Sequence, residues 1–88
     1  MTLQSGALMA VMLGQITGHA QERMLERGVP DEAVDEVLAN YHTSRPAGPR
    51  EGARPAVIYV GTWNNRNLRV YVVRDSNPPL VTSVAWEV

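Results

Sequence analysis

The chain contains no cysteine, no lysine and no phenylalanine. Without cysteine it has no disulfide staple, no thiolate-held zinc and no thiol nucleophile. Without lysine, its eight basic residues are all Arg, set against nine acids for a net charge of −1. That balance gives a polyanion no chain-wide cationic field to follow. Without phenylalanine, Trp63 and Tyr71 read first as packing residues, although either ring could stack on a base. Long apolar runs are also missing. Ala7 to Leu13 is seven residues, against the roughly 20 a membrane-spanning helix needs. No basic residue precedes that run, so it reads as a poor signal peptide.

The composition describes one small globular domain. The chain has 88 residues, 44% of them apolar and 19% charged, which separates it from disordered sequences. A chain of this size buries roughly 60–65% of the surface its unfolded form exposes, enough for one modest core.

The near-neutral total hides an asymmetry. Residues 1–40 hold two Arg and six acids, a balance of −4, whereas residues 41–88 hold six Arg and three acids, a balance of +3. Such a split can mark an anion-binding side. It also arises where acids suit an exposed helix and Arg an exposed strand.

Periodicity then places the elements. Residues 1–15 carry no charge and no strong period. They are read apart, as an added strand, a loose helix, a remnant of a longer chain or a docking element, and residues 16–88 are read as one domain. Thr17 suits a helix N-cap, and Gly28 the left-handed residue that ends the helix. Pro30 can open a second helix, with Asp31 and Glu32 favourable in its first turn. Val34, Val37, Leu38 and Tyr41 follow the i, i+3, i+4, i+7 spacing of a helix lying on a core. Thr43 to Pro55, rich in Pro and Gly, is a loop, with a short strand feasible around His42-Thr43-Ser44. Three strand-like runs follow, Ala56 to Trp63, Leu68 to Arg74 and Leu80 to Trp86. Turns at Asn64 to Asn67 and at Ser76 to Pro79 separate them. In the middle run, Leu68, Val70 and Val72 share one face and Arg69, Tyr71 and Val73 the other. The expectation is an α+β fold: two N-terminal helices packed on an antiparallel sheet of three to four strands.

One constellation could carry chemistry. On the first helix Ile16, Ala20 and Met24 form an apolar stripe, and His19 and Arg23, four residues apart, lie on its rim with Arg27 continuing the row. Imidazole moves protons near neutral pH. A guanidinium beside it can hold a phosphate and steady developing negative charge. The spacing is common, however. His19 equally suits a helix-start residue bonded to nearby backbone, and Arg23 a surface pair with Glu22 or Glu26. His42 could complete an acid and base pair or be a solvated loop residue. Thr82 and Ser83 could each bond a phosphate oxygen, and alternation sends them to opposite faces of their strand. Arg45, Arg50 and Arg54 could touch a phosphate backbone or simply face water. No Cys or His cluster offers a metal site, so catalysis here is expected to be metal-free, without a cofactor.

Together these residues resemble a known family. Ile16-Thr17-Gly18-His19-Ala20, Arg23-Met24, Glu26-Arg27-Gly28-Val29, Val34 and Val37-Leu38 are similar to the opening of the bacterial domain of unknown function DUF4258. Val81-Thr82-Ser83-Val84 resembles the Thr-bearing strand that ends its members. The likeness covers about residues 16–86, with Pro30 standing where a capping Ser or Thr is common. The family is thought related to the barnase, EndoU and RelE-like metal-independent ribonucleases, often found in polymorphic toxins. The resemblance therefore implies a RelE/barnase-like fold and an endoribonuclease toxin acting on RNA, with tRNA a candidate substrate. It implies His19, Arg23 and Thr82 as catalytic residues and Arg27 as a substrate residue; residue chemistry adds Arg69, His42 and Ser83 as groups that could hold substrate. It further implies an immunity or antitoxin partner and action in the bacterial cytoplasm, with delivery from a secreted parent toxin. The rivals from residue chemistry are a non-catalytic interaction domain using a sheet edge or the N-terminal segment, and, lower, an ADP-ribosyl transferase. The latter lacks a nucleotide-cradling Gly-rich loop.

Overall fold

A computed structural model describes residues 14–48 and 54–87. The elements are β1 (Gln15–Ile16), α1 (Gly18–Arg27), α2 (Asp31–Asn40), β2 (Thr43–Pro46), β3 (Ala56–Trp63), β4 (Arg66–Val73) and β5 (Leu80–Trp86). The strands form one five-stranded sheet in the order β1-β5-β4-β3-β2.

The helical hairpin forms where the caps place it. The Thr17 hydroxyl accepts a hydrogen bond from the Ala20 N–H at 3.1 Å, satisfying one of the donors a helix start leaves free. At the other end Gly28 adopts φ 66° and its N–H returns to the Met24 carbonyl, which only a residue without Cβ does at little cost. Pro30 sits one position earlier than expected. It is the extended N-cap of α2, with no capping side-chain bond, and Asp31 is the first helical residue.

The sheet differs from expectation at its ends. The expected three or four antiparallel strands are five, and the sheet is mixed, because β1 pairs in parallel with β5 (Gln15 to Leu80, Ile16 to Val81). Ile16 therefore lies in a strand rather than on the helix stripe. The pairing gives the chain entering α1 a ladder: the Gln15 N–H donates to the Pro79 carbonyl at 2.8 Å and the Thr17 N–H to the Val81 carbonyl at 3.1 Å. Two residues are too few to show alternation in sequence. β2 occupies the start of what reads as loop and pairs antiparallel with β3. Between β3 and β4 the turn is the pair Asn64-Asn65, both at positive φ (52° and 65°), as the primed two-residue hairpins require.

Both helices cover the same side of the sheet. The core there joins Ala20 and Met24 of α1, Ala33, Val34 and Val37 of α2, Leu68, Val70 and Val72 of β4, and Val81 and Val84 of β5. Trp63 packs against this core, the packing role its composition predicts. Gly61 lets α2 approach β3 closely: a Cβ there would meet Val37 Cγ2 at 3.1 Å and its Cα at 3.2 Å. No described helix is long and apolar enough to cross a membrane.

Candidate functional site

The other face of the sheet carries the chemistry. Register places Ile58, Tyr71 and Ser83 abreast across β3, β4 and β5, and likewise Val60, Arg69 and Ala85. α1 runs alongside β5, and its row of side chains four apart looks over this face. His19, Arg23 and Arg27 line an open hollow from α1, Arg54 and Arg74 line it from the adjoining ends of β3 and β4, and Ile58, Tyr71 and Val73 line it from the strands between. No carboxylate is among the described residues lining it.

Thr82 and Ser83 both line this hollow, against the expectation of opposite faces. The cause is a β-bulge. Tyr71 pairs with Ser83 while the next residue, Val72, pairs with Val81, leaving Thr82 as the extra residue. A bulge sets two residues against one on the partner strand and breaks the strict alternation. The Thr82 hydroxyl is directed toward the Tyr71 carbonyl at 3.4 Å, beyond the usual range of a strong O–H···O bond. It is thus loosely held. Alternation alone could not reveal this, because a bulge depends on the pairing partner.

The members of the row are not equivalent. His19 is exposed and forms no ion pair among the described residues. Arg23 lies beside it and pairs with Glu26 at 2.7 Å, the surface pair that its spacing also allows. Arg27 serves the structure itself. Its Nη1 donates to the Val84 carbonyl at 2.6 Å, on strand β5. In return the Trp86 indole Nε1 donates to the Arg27 carbonyl at 2.6 Å, while the Arg66 guanidinium lies 4.1 Å from the Trp86 ring centroid. These bonds fasten the end of α1 to β5 and so fix the wall bearing His19.

Other expected site residues lie elsewhere. His42 follows α2 and its N–H donates to the Val60 carbonyl, which puts it beside β2. Strand order separates β2 from β5 by three strand spacings, about 14 Å, so His42 does not join His19. Arg69 is outside the hollow, where its Nε meets Glu87 Oε2 at 3.1 Å, and Arg45 meets the same oxygen at 3.0 Å. Hydrogen bonds from Arg45 and Arg69 hold the Glu87 carboxyl below its ordinary range. Arg50 lies outside the described residues. Arg74 reads in sequence only as the last residue of the Leu68 to Arg74 run, where alternation gives it the phase of the core-facing Leu68, Val70 and Val72. Its position shows only once its N–H is seen to donate to the Pro55 carbonyl at 2.9 Å, bringing it near Arg54.

No described cluster of three or more His, Asp or Glu side chains could hold a metal ion. A helical hairpin on one face of a mixed sheet, with a His and Arg row rimming the open face, defines a small α+β domain with an Arg-lined hollow. The chain belongs to the family described as domain of unknown function DUF4258, whose profile matches residues 16–86. Searches of curated proteins and of solved structures returned no significant match.

Proposed function

We propose that the domain is a metal-independent endoribonuclease working from this hollow, with the RelE/barnase-like relationship as its family context. The observation carrying the reading is the convergence of His19, Arg23, Thr82 and Ser83 on one open face. There, His19 removes the proton of an RNA 2′-hydroxyl. The oxygen attacks its own 3′-phosphate, the O2′–P bond forms and the P–O5′ bond breaks. The products are a 2′,3′-cyclic phosphate and a 5′-oxygen that solvent protonates. Arg23 exchanges part of its pairing with Glu26 for the phosphorane oxygens, whose charge it steadies. Thr82 and Ser83 donate to the non-bridging oxygens. As a toxin it would act on RNA, with tRNA a candidate, in the bacterial cytoplasm after delivery from a secreted parent, and an immunity or antitoxin protein would cover the hollow.

The test incubates the protein with bacterial RNA in EDTA, beside His19→Ala and Arg23→Ala. Defined fragments with cyclic-phosphate ends are expected from the wild type. Loss of a general base should slow cleavage about 10²-fold or more, and loss of Arg23 by about 10²-fold. Intact RNA across several substrates would sink the reading. One observation favours a second reading, an interaction domain: β2 lies at the sheet edge with all four residues exposed, a ready surface for strand addition. That reading predicts partner capture that survives His19→Ala and fails when β2 is changed.

A further inference from the structure

The proposed chemistry uses only one wall of the hollow. The rest of it is also organised. Arg54 and Arg74 line it from the adjoining ends of β3 and β4, brought together by the bond between the Arg74 N–H and the Pro55 carbonyl. Both side chains belong to exposed residues, and neither forms an ion pair among the described residues. By contrast, Arg23, Arg45 and Arg69 each have a carboxylate. Ile58, Tyr71 and Val73 of β3 and β4 line the same hollow as a sheet floor beside both Arg groups. Tyr71 is half-buried on the middle strand. The β3 and β5 sides of the floor are two strand spacings apart, about 10 Å.

We propose that the hollow is a track for single-stranded polynucleotide, in which Tyr71 stacks a base and Arg54 and Arg74 form a phosphate subsite distinct from His19 and Arg23. The choice of a polynucleotide rests on the ribonuclease reading. The choice of a single strand rests on the floor. A duplex keeps its base faces stacked inside and offers a protein surface phosphate, sugar and groove-side base edges but no free base face, so an aromatic floor flanked by cations gains no stacking from it. An unpaired strand brings phosphate to the cations and a base face to the ring, the combination on which single-strand binders rely. The acids of α2 stand on the helix-covered side of the sheet, so the polyanion meets the cationic face.

Binding is read by fluorescence anisotropy with a labelled DNA strand of about 12 nucleotides, within the span such surfaces cover. Lacking a 2′-hydroxyl, it cannot be cut by the proposed reaction, so the wild-type protein serves. The same strand annealed to its complement should bind at least about 10-fold more weakly. Arg54→Ala with Arg74→Ala should flatten the salt dependence by about 0.7 in log–log slope for each phosphate no longer held. Tyr71→Ala should cost about 5- to 100-fold in affinity, while Tyr71→Phe, which keeps the stacking ring, should bind as wild type; melting curves confirm that each variant folds. Equal affinity for duplex, an unchanged Kd in the double Arg variant, or displacement by an acidic peptide as effective as by the strand itself would each overturn the track. These results would leave ribonuclease activity standing if the wild type cuts RNA. Conversely, the expected binding pattern without cleavage supports the track and removes the ribonuclease reading.

Discussion

The two faces of strand β4 differ residue by residue. Leu68, Val70 and Val72 turn inward and are 0%, 0% and 4% exposed, in an aliphatic core where no polar side chain is buried among the described residues. Arg69, Tyr71 and Val73 turn outward, where one meets Glu87 and the other two line the hollow. Neighbours in sequence thus serve different ends. The inward set holds the helices and fixes the strand spacing. The outward set inherits that spacing and presents a cation, a phenol ring and an aliphatic group at set intervals. Period 2 lets a chain of 88 residues keep its helix-covered core and its open hollow on separate surfaces of one sheet.

The strongest way to break this comparison is to cut into the inner face. Leu68→Ala removes a fully buried side chain and should cost about 2–5 kcal/mol, a large share of the roughly 5–15 kcal/mol typical of a domain. Tyr71→Phe on the outer face should stay within about 0.5 kcal/mol. Urea denaturation of both variants checks this. Similar losses from the two would mean that the outer face is as much a core as the inner one.

A more local test is Gly61→Ala. The added methyl would press on Val37 of α2, which must yield by a few tenths of an ångström, at an expected cost of about 1–3 kcal/mol. Val37→Ala should relieve part of that pressure, so the double variant should lose less than the sum of the two single losses. Strict additivity would show that α2 does not rest on β3 there.

How much of this was legible in sequence follows from how local each feature is. The Thr17 cap, the Gly28 stop, the stripe of α2, the inner and outer sets of β4 and a turn from Asn64 depend on neighbours within a few residues and were readable, although the turn reads as Asn64 to Asn67 and closes within Asn64-Asn65. So was the row of His19, Arg23 and Arg27, since four-residue spacing needs only the helix. Features that depend on a distant partner were not readable. β1 exists because β5 arrives beside it some 65 positions later (Gln15 to Leu80). The bulge that turns Thr82 and Ser83 to one face is a property of the β4–β5 ladder. Arg27 looks like a substrate ligand until the Val84 carbonyl is found under it, and Arg74 looks incidental until Pro55 places it near Arg54. His42 suits a partner for His19 only while strand order is unknown.

The smallest expected effect concerns charge rather than packing. α2 carries Asp31, Glu32, Asp35 and Glu36 on the helix-covered side, opposite the cationic hollow. Burial, then repulsion from Asp31 and Glu32, raises the Asp35 pKa above its ordinary value of 3.8. Because the folded state holds that proton more tightly than the unfolded chain, stability falls as pH rises from about the unfolded value through the folded one. At neutral pH the ionised carboxylate is therefore a net cost. Asp35→Asn should raise stability at pH 7 by about 0.2–0.5 kcal/mol, the scale of one like-charge helix pair after solvent screening. The gain should shrink as pH falls and vanish once wild-type Asp35 is protonated in both states. It should also diminish in high salt, which screens the repulsive part and leaves the burial part. Melting temperatures of the two proteins across that pH range decide the matter. A gain that persists at low pH would assign the effect to helix propensity or packing, and the acidic side would then exert no measurable strain on the fold.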